Sequence, residues 1–453
     1  MKRIIPVVIY CLLLACTAAI AQPQNGWMPL FNGKNLDGWK KLNGNAEYRV
    51  EGDEIVGITQ PNTPNTFLAT EQEYSDFALR FEFKVDPSIN SGVQIRSNSF
   101  PDYQDGRVHG YQVEIDPSER AYTGGIYDEA RRGWLYPLSV NEEARKALRQ
   151  NEWNQVYVEC IGNTIKTWVN DVPAAYMADD KTARGFIALQ VHSIDDETLA
   201  GKEVRWRNIL IRTEGLKTRK DDFPFVVNLL PNQLAPREKK LGWKLAWDGK
   251  TTNGWRGAHR KDFPENGWTI ENGQLTVLES GGGESRNGGD IVTKKEYGAF
   301  EFQLEFLLTE GANSGIKYFV TEGYGPRQGS AIGLEFQILD DERHPDAKMG
   351  RDGNRTLASL YDLIAANKNQ RFVKPPGEWN HARIAVYPDN RVEHWLNHQK
   401  VVEYVKGSPE FLDLVAISKY KDFENFGLWE KGHILLQDHG NRVAFRSIKV
   451  RKL

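Results

Sequence analysis

Two stretches of the chain carry polar side chains at a spacing that a β-strand would turn onto one face. Gln112, Glu114 and Asp116 alternate with Tyr111, Val113 and Ile115, so a strand here presents an amide and two carboxylates on one side and apolar groups on the other. Glu335 and Gln337 alternate with Leu334, Phe336 and Ile338 in Gly-Leu-Glu-Phe-Gln-Ile-Leu-Asp340. The Glu and the Gln have traded places between the two stretches. Such a row suits the gripping of sugar hydroxyls. Two further pairs, Gln190 with His192 and Gln437 with His439, are two residues apart and share a face of a later strand. Tyr127 in Gly-Gly-Ile-Tyr-Asp and Tyr361 in Ala-Ser-Leu-Tyr-Asp add hydroxyls suited to a proton relay or a sugar contact. If these strands are neighbours, an acid–base group and several hydrogen-bond donors converge on one pocket. Lys419 and Glu393 are additional charged candidates. Arg96 has Phe319 as its counterpart, so the two polar faces are not chemically identical.

Some chemistry is disfavoured at once. Cleaving an ordinary glycosidic bond takes two opposed carboxylates. Glu114-Ile115-Asp116 begins the Glu-x-Asp pattern of sandwich β-glucanases, but Pro117-Ser118 interrupts it and the second stretch has no counterpart. The loop Asp340-Asp341-Glu342-Arg343-His344-Pro345-Asp346 has donors for a divalent ion, yet loop acids are usually solvated, and no metal or other cofactor is assigned.

The elements that must position these groups read as strands. Phe77, Leu79, Phe81 and Phe83 alternate with Ala78, Arg80, Glu82 and Lys84, and Phe300, Phe302, Leu304 and Phe306 repeat the pattern. Helical periodicity is confined to short pieces at 142–149 and 355–366. An internal repeat sets the domain count. Residues 31–39 (Phe-Asn-Gly-Lys-Asn-Leu-Asp-Gly-Trp) return at 247–255, Asn90-Ser91-Gly92-Val93 as Asn313-Ser314-Gly315-Ile316, Glu152-Trp153-Asn154 as Glu378-Trp379-Asn380, and Trp168-Val169-Asn170 as Trp395-Leu396-Asn397. A unit this long is a domain, not a solenoid repeat. The expected architecture is all-β: two tandem jelly-roll sandwiches, 26–213 and 241–453, joined by a connector at 214–240 with three prolines. Its apolar piece at 223–230 should dock on a domain.

The remaining features concern compartment and partners. Lys2 and Arg3, an apolar run from Ile4 to Ala15 and the small residues Ala19 and Ala21 read as a signal peptide over 1–21. Leu13-Leu14-Ala15-Cys16 also reads as a lipobox, with a lipid anchor on Cys16 as the alternative. Export to a bacterial periplasm or cell surface follows from either. Beyond this leader only Cys160 remains, so no intrachain disulfide forms, and its alternating surroundings make it a buried strand residue. No later stretch is apolar enough to span a membrane. Lys and Arg number 58 against 61 Asp and Glu, without single-sign runs, so nucleic acid is not an expected partner.

The motifs Phe-Asn-Gly-Lys-x-Leu-x-Gly-Trp39, Asn-Ser-Gly315 with Ile-Lys-Tyr318, Gly-Leu-Glu-Phe-Gln-Ile-Leu-Asp340, Trp-Leu-Asn397 and Leu-Gln-Asp-His-Gly440 followed by Val-Ala-Phe-Arg446 resemble the 3-keto-disaccharide hydrolase domain family. The resemblance covers both halves. It implies a concanavalin A-like jelly roll and action on 3-keto-glycosides, sugars already oxidised at C3 by a separate dehydrogenase. A C3 ketone acidifies the C2 proton, so one base and one carbonyl-polarising donor can expel the C1 substituent by β-elimination, with water adding back for net hydrolysis. On this reading His439 or Glu335 is the base, Tyr361 the acid, and Gln337, Gln437, Lys419, Asp340 and Arg446 bind or polarise the substrate. In the first copy Gln112, Glu114, Arg96, Tyr127, Gln190 and His192 form the equivalent binding set. There Gln112 replaces the family's usual Glu and Glu114 its usual Gln, which points chemistry to the second copy. The competing class is a non-catalytic carbohydrate-binding protein of the jelly-roll lectin type.

Overall fold

The protein, seen in a computed structural model, is described over residues 26–220, 222–322 and 331–453; the leader expected at 1–21 lies outside these residues. Strands dominate, and they assemble into two sheets per copy. In the first copy a seven-stranded antiparallel sheet runs Gly133–Tyr136, Ile126–Glu129, His109–Ile115, Ser91–Asn98, Phe186–Val191, Thr66–Thr70, Trp39–Asn43. A second sheet packs behind it around Phe77–Val85, Asn154–Ile161 and Glu203–Arg212. The second copy repeats this with a five-stranded sheet, Trp255–Gly257, Ile291–Thr293, His433–Leu436, Asn313–Thr321, Ile332–Leu339, backed by a sheet around Phe300–Leu308, Trp379–Val386 and Val443–Lys452. These are the two tandem jelly rolls expected from the period-two patterning.

Each core lies between its two sheets. Phe77, Leu79, Phe81 and Phe83 are buried against Val93, Ile95, Tyr111, Val113 and Ile115; Phe300, Phe302, Leu304 and Phe306 against Ile316, Tyr318, Leu334, Phe336 and Ile338. Full burial of each such side chain stabilises the fold by roughly 1.5–3 kcal/mol. Because Tyr111, Val113 and Ile115 point inward, Gln112 and Glu114 must point to the outer face of the front sheet, and the same alternation turns Glu335 and Gln337 outward. Cys160 sits in the first core, where burial pushes its thiol up to about 12 and keeps it protonated.

The repeated motifs have matched structural duties. Trp39 Nε1 donates to the Leu30 carbonyl at 3.0 Å and Trp255 Nε1 to that of Ala246 at 2.9 Å, pinning the turn that opens each copy. Asn170 Nδ2 donates to Asn154 Oδ1 at 2.8 Å, and Asn397 Nδ2 to Asn380 Oδ1 at 2.7 Å. A β-bulge interrupts the same strand in both copies, with Arg96 at φ 48° and Phe319 at φ 52°.

The connector is packed rather than free. Phe223 is buried between the rings of Trp168 and Tyr176, 5.0 and 5.6 Å between centroids. Val227–Asn228 adds a parallel strand beside Val172–Ala178. Glu238 forms a buried ion pair with Lys449 of the second copy and accepts from Asn228 Nδ2 at 2.7 Å. A loop of the second copy reaches the other way: Phe372 is buried in the core of the first. The two copies therefore share packing.

Candidate active site

On the outer face of the second copy's front sheet, strand pairing sets Lys317 opposite Glu335 and Gly315 opposite Gln337. Gln437 N donates to the Gly315 carbonyl at 3.0 Å, which brings its side chain beside both. Gly315 is required by close approach: a Cβ there would lie 2.2 Å from Glu335 Oε1. The glycine of Asn-Ser-Gly lets the Glu335 carboxylate fold across the sheet.

The charges around Glu335 are arranged by the same strands and by the loops beside them. Lys317 Nζ is 3.3 Å from Glu284 Oε1 and 3.7 Å from Asp290 Oδ2. Burial alone would lower the Lys317 pKa, but Asp290, Glu335 and Glu284 outweigh it and hold the ammonium firmly charged. Burial raises the Glu335 carboxyl above the ordinary carboxylate range, opposed by the Lys317 and Lys419 charges. Asp290 is pushed up to about 7, again by burial first, with Lys317 opposing. Lys419 reaches in from a loop with its Nζ 4.0 Å from the Tyr361 ring centroid; loss of solvation there lowers its pKa, with Glu335 opposing. Tyr361 N donates to the Glu335 carbonyl at 3.0 Å, and its hydroxyl donates to Asp346 Oδ2 at 2.8 Å. Arg355 holds Asp346 at 3.0 Å and Asp362 at 2.7 Å. His439 is half-buried, its ring 5.8 Å from that of His344. Burial lowers the His439 pKa despite Glu284 and Asp346, so the imidazole is neutral at pH 7.

The polar atoms left unpaired point to what this face awaits. Asp290 Oδ2, Gln337 Oε1, Gln437 Oε1 and His439 Nδ1 are buried without a hydrogen-bond partner. Each such atom costs about 1–3 kcal/mol unless something pairs with it. A ligand rich in hydroxyls would supply the partners.

The first copy has the same scaffold with different groups. Gln94 stands opposite Gln112, and Gly92 opposite Glu114, so Gln94 takes the place of Lys317, Gln112 that of Glu335 and Glu114 that of Gln337. Phe67, opposite Gln190, takes the place of Asp290. A hydrogen-bonded chain replaces the charge cluster: Ser97 Oγ to Gln94 Oε1 at 2.7 Å, Gln94 Nε2 to Gln112 Oε1 at 2.6 Å, and Gln112 Nε2 to Glu114 Oε2 at 2.9 Å. Asn90 Nδ2 donates to the other Glu114 oxygen at 2.7 Å. Burial raises Glu114 to about 7. Tyr127 stands opposite Gln112, while His192, just past its strand, bonds the Ser193 carbonyl through Nδ1 at 2.6 Å.

Of the residues singled out in the sequence, Glu335, Gln337, Gln437, His439, Tyr361 and Lys419 thus meet on one face, and Gln112, Glu114, Tyr127, Gln190 and His192 on the other copy's. Four expectations are corrected. Arg446 lies on the back sheet, where it pairs with Glu305 at 2.9 Å and covers Trp379 at 4.0 Å; Phe445 points into the core, so its neighbour must face away. Arg96 is buried, with its guanidinium spent on the Ser75 and Gly162 carbonyls at 2.6 and 2.8 Å and on Asp76 at 2.9 Å. Asp340 is a turn cap, accepting from Gly311 N at 2.8 Å and Glu342 N at 3.1 Å. Glu393 is likewise on the back sheet, bonded by Trp395 Nε1 at 2.9 Å. In the loop weighed for a divalent ion, Asp341 is taken by Leu357 N and Lys368, and Asp346 by Tyr361 and Arg355. Among the described residues no group of three or more His, Cys, Asp or Glu is placed to hold a metal.

Sequence reasoning missed Lys317, Asp290 and Glu284, and weighed Asp346 only as a donor to a divalent ion. Lys317 was within reach, since it lies two residues past Gly315 and therefore on the same face.

Comparison with known proteins adds to this geometry. The family model described as the 3-keto-alpha-glucoside-1,2-lyase-like domain matches residues 26–212 and 242–451. The chain belongs to this family. A 3-keto-disaccharide hydrolase of Bacteroides thetaiotaomicron is 39% identical over 232 residues, 47% of this chain and 79% of that protein. Among solved structures, two candidate glycosyl hydrolases of Parabacteroides distasonis are similar, one at 29% identity covering 49% of this chain and 99% of its own with a TM-score of 0.43. The other is 28% identical, covering 44% and 100%, with a TM-score of 0.33. Membership in the 3-keto-alpha-glucoside-1,2-lyase-like family makes this chain a carbohydrate-active hydrolase, carrying two copies of the domain. Among the described residues no helix is long and apolar enough to cross a membrane.

Proposed function

We propose that the second copy cleaves the glycosidic bond of 3-keto-glycosides by elimination across C1 and C2, followed by addition of water. The observation that carries this reading is the buried Glu335 carboxylate held opposite Lys317, with unpaired amide, carboxylate and imidazole atoms around it. Glu335 takes the C2 proton, which the neighbouring ketone acidifies. The electron pair moves into the C2–C3 bond and onto the C3 oxygen, where the Lys317 or Lys419 ammonium stabilises the enolate. The enolate then expels the C1 oxygen, which takes a proton from Tyr361 or from a water held by His439, and the aglycone leaves. Water adds at C1 while C2 regains a proton, so the net change is hydrolysis. Gln337 and Gln437 bind sugar hydroxyls.

A single carboxylate base backed by a fixed cation is enough here, because the ketone does the work that a second carboxylate does in ordinary glycosidases. We further propose that the protein is exported and meets its substrate in the periplasm or at the cell surface, on the strength of the leader at 1–21. Purified protein mixed with an aryl 3-keto-glucoside should release the phenol with turnover. Absence of release from every 3-keto-glucoside offered, in either anomeric form, would overturn this reading.

A further inference from the structure

The outer face of the first copy retains a binding site's construction without the charges that would make it react. Gln190 is wholly buried, and both its Oε1 and its Nε2 lack a hydrogen-bond partner; Asn90 Oδ1 is also unpaired. Gln190 stands opposite Gly92, which stands opposite Glu114, so these groups form one row across three strands. An amide with both atoms unpaired costs more than an apolar side chain of the same size. A core-filling role does not explain it.

The second copy completes this face. Its loop anchors Phe372 in the first copy's core, and Lys374 Nζ donates to the Arg132 carbonyl. Burial raises the pKa of the Tyr127 hydroxyl on this face, with Glu129 adding to the rise and the charge of Arg371, from the same loop, opposing it. Tyr127 itself packs edge-on against Trp134, 5.3 Å between centroids. An aromatic wall, an arginine from the neighbouring domain, an unpaired amide and a hydrogen-bonded chain ending in Glu114 therefore surround one patch.

We propose that this patch is a second carbohydrate site, built from both domains, that binds a neutral unoxidised pyranoside without cleaving it. The proposal rests on the carbohydrate reading of the family, but not on catalysis by the second copy. Its groups alternate donors and acceptors, as neighbouring equatorial hydroxyls require. Glu114 and Glu129, both buried on this face, already engage Arg120 at 3.7 Å and Arg107 at 3.8 Å, which suits an uncharged sugar. No ammonium takes the place of Lys317, so a C3 ketone gains nothing here over a C3 hydroxyl. The site would hold the glycan from which the 3-keto substrate is made.

The test uses the full chain, with methyl β-D-glucopyranoside and cellobiose as probes. Binding is read by saturation-transfer NMR and calorimetry, and aglycone release from an aryl 3-keto-glucoside is measured on the same preparations. Gln190→Leu removes the unpaired amide while preserving apolar packing, and Arg371→Ala removes the second copy's contribution. Each should weaken glucoside binding by ~10-fold or more, the value of one or two lost hydrogen bonds, while Gln190→Leu, by removing a buried unpaired amide, raises the thermal midpoint rather than lowering it. Failure of both probes to bind at tens of millimolar, or binding indifferent to both substitutions, overturns the proposal. Release without glucoside binding defeats this inference alone, whereas binding without release defeats the catalytic reading alone.

Discussion

The two front sheets pair their central strands in the same way and differ in charge at three matched positions. In the second copy Lys317, Glu335 and Asp290 form a buried charge cluster; in the first, Gln94, Gln112 and Phe67 occupy those places. One face is organised around an ammonium that can stabilise an enolate. The other is organised around a chain of amides that ends on the Glu114 carboxyl. On the reading proposed above, a jelly roll separates binding from reaction by three side chains on neighbouring strands, with the Asn-Ser-Gly glycine kept in both to let the central side chain cross. Gly92 and Gly315 make this point directly, since an added Cβ would meet Gln112 Cδ at 2.4 Å in one copy and Glu335 Oε1 at 2.2 Å in the other.

The comparison breaks most visibly at Glu335. Glu335→Gln should lower kcat for aglycone release by about 10³–10⁴-fold, while Gln112→Ala leaves it within about twofold; equal losses at both positions would merge the two roles. Next in size is Lys317→Met, which removes the cation facing the developing enolate and should cost about 10²–10³-fold in kcat. The same change carries a pH signature. Glu335 must be ionised to accept a proton, and Lys317 holds its pKa down, so the acid limb of the rate profile should move to higher pH in the variant. An unmoved limb would place the base elsewhere.

Stability distinguishes the copies more gently. Burial raises Glu114 to about 7 in the folded protein from an ordinary 4.5. The carboxyl is neutral in both states below about pH 4.5, where its contribution is fully present; as pH rises through about 7 the fold must hold a buried charge, and up to about 3 kcal/mol is lost. Glu114→Gln should therefore gain on the wild type by about 2–3 kcal/mol between pH 5 and pH 8 in denaturant titrations, with aglycone release intact. The smallest effect is expected on the back sheet. Arg446→Ala should cost about 1–2 kcal/mol of stability through the loss of Glu305's partner, and should leave kcat alone.

How much of this was legible in the sequence depended on the element. The alternation of Phe77 to Phe83 and of Phe300 to Phe306 identified sandwich strands, and the echo of Asn-Ser-Gly aligned the copies closely enough to match Gln112 with Glu335. Strand pairing then brought Tyr361 and Gln437 beside Glu335, a nearness the repeat implied but did not prove. Arg446 failed because a polar residue beside a core phenylalanine has to leave the sandwich on its far side, and chain position does not say which sheet is the back. Arg96 failed because a bulge turned it away from the row it appeared to join. Asp290 and Glu284 were missed because their loop, about 279–290, has no counterpart in the first copy, so no repeat signal marked it.

The central claim is that the second copy removes the C2 proton before the glycosidic bond breaks. It is tested most directly by running the reaction on an unlabelled 3-keto-glucoside in D₂O and reading the C2 position of the released 3-keto-sugar at early times by NMR. The account predicts deuterium at C2 appearing in step with aglycone release and both abolished by Glu335→Gln. Release at full rate with protium retained at C2 would contradict it.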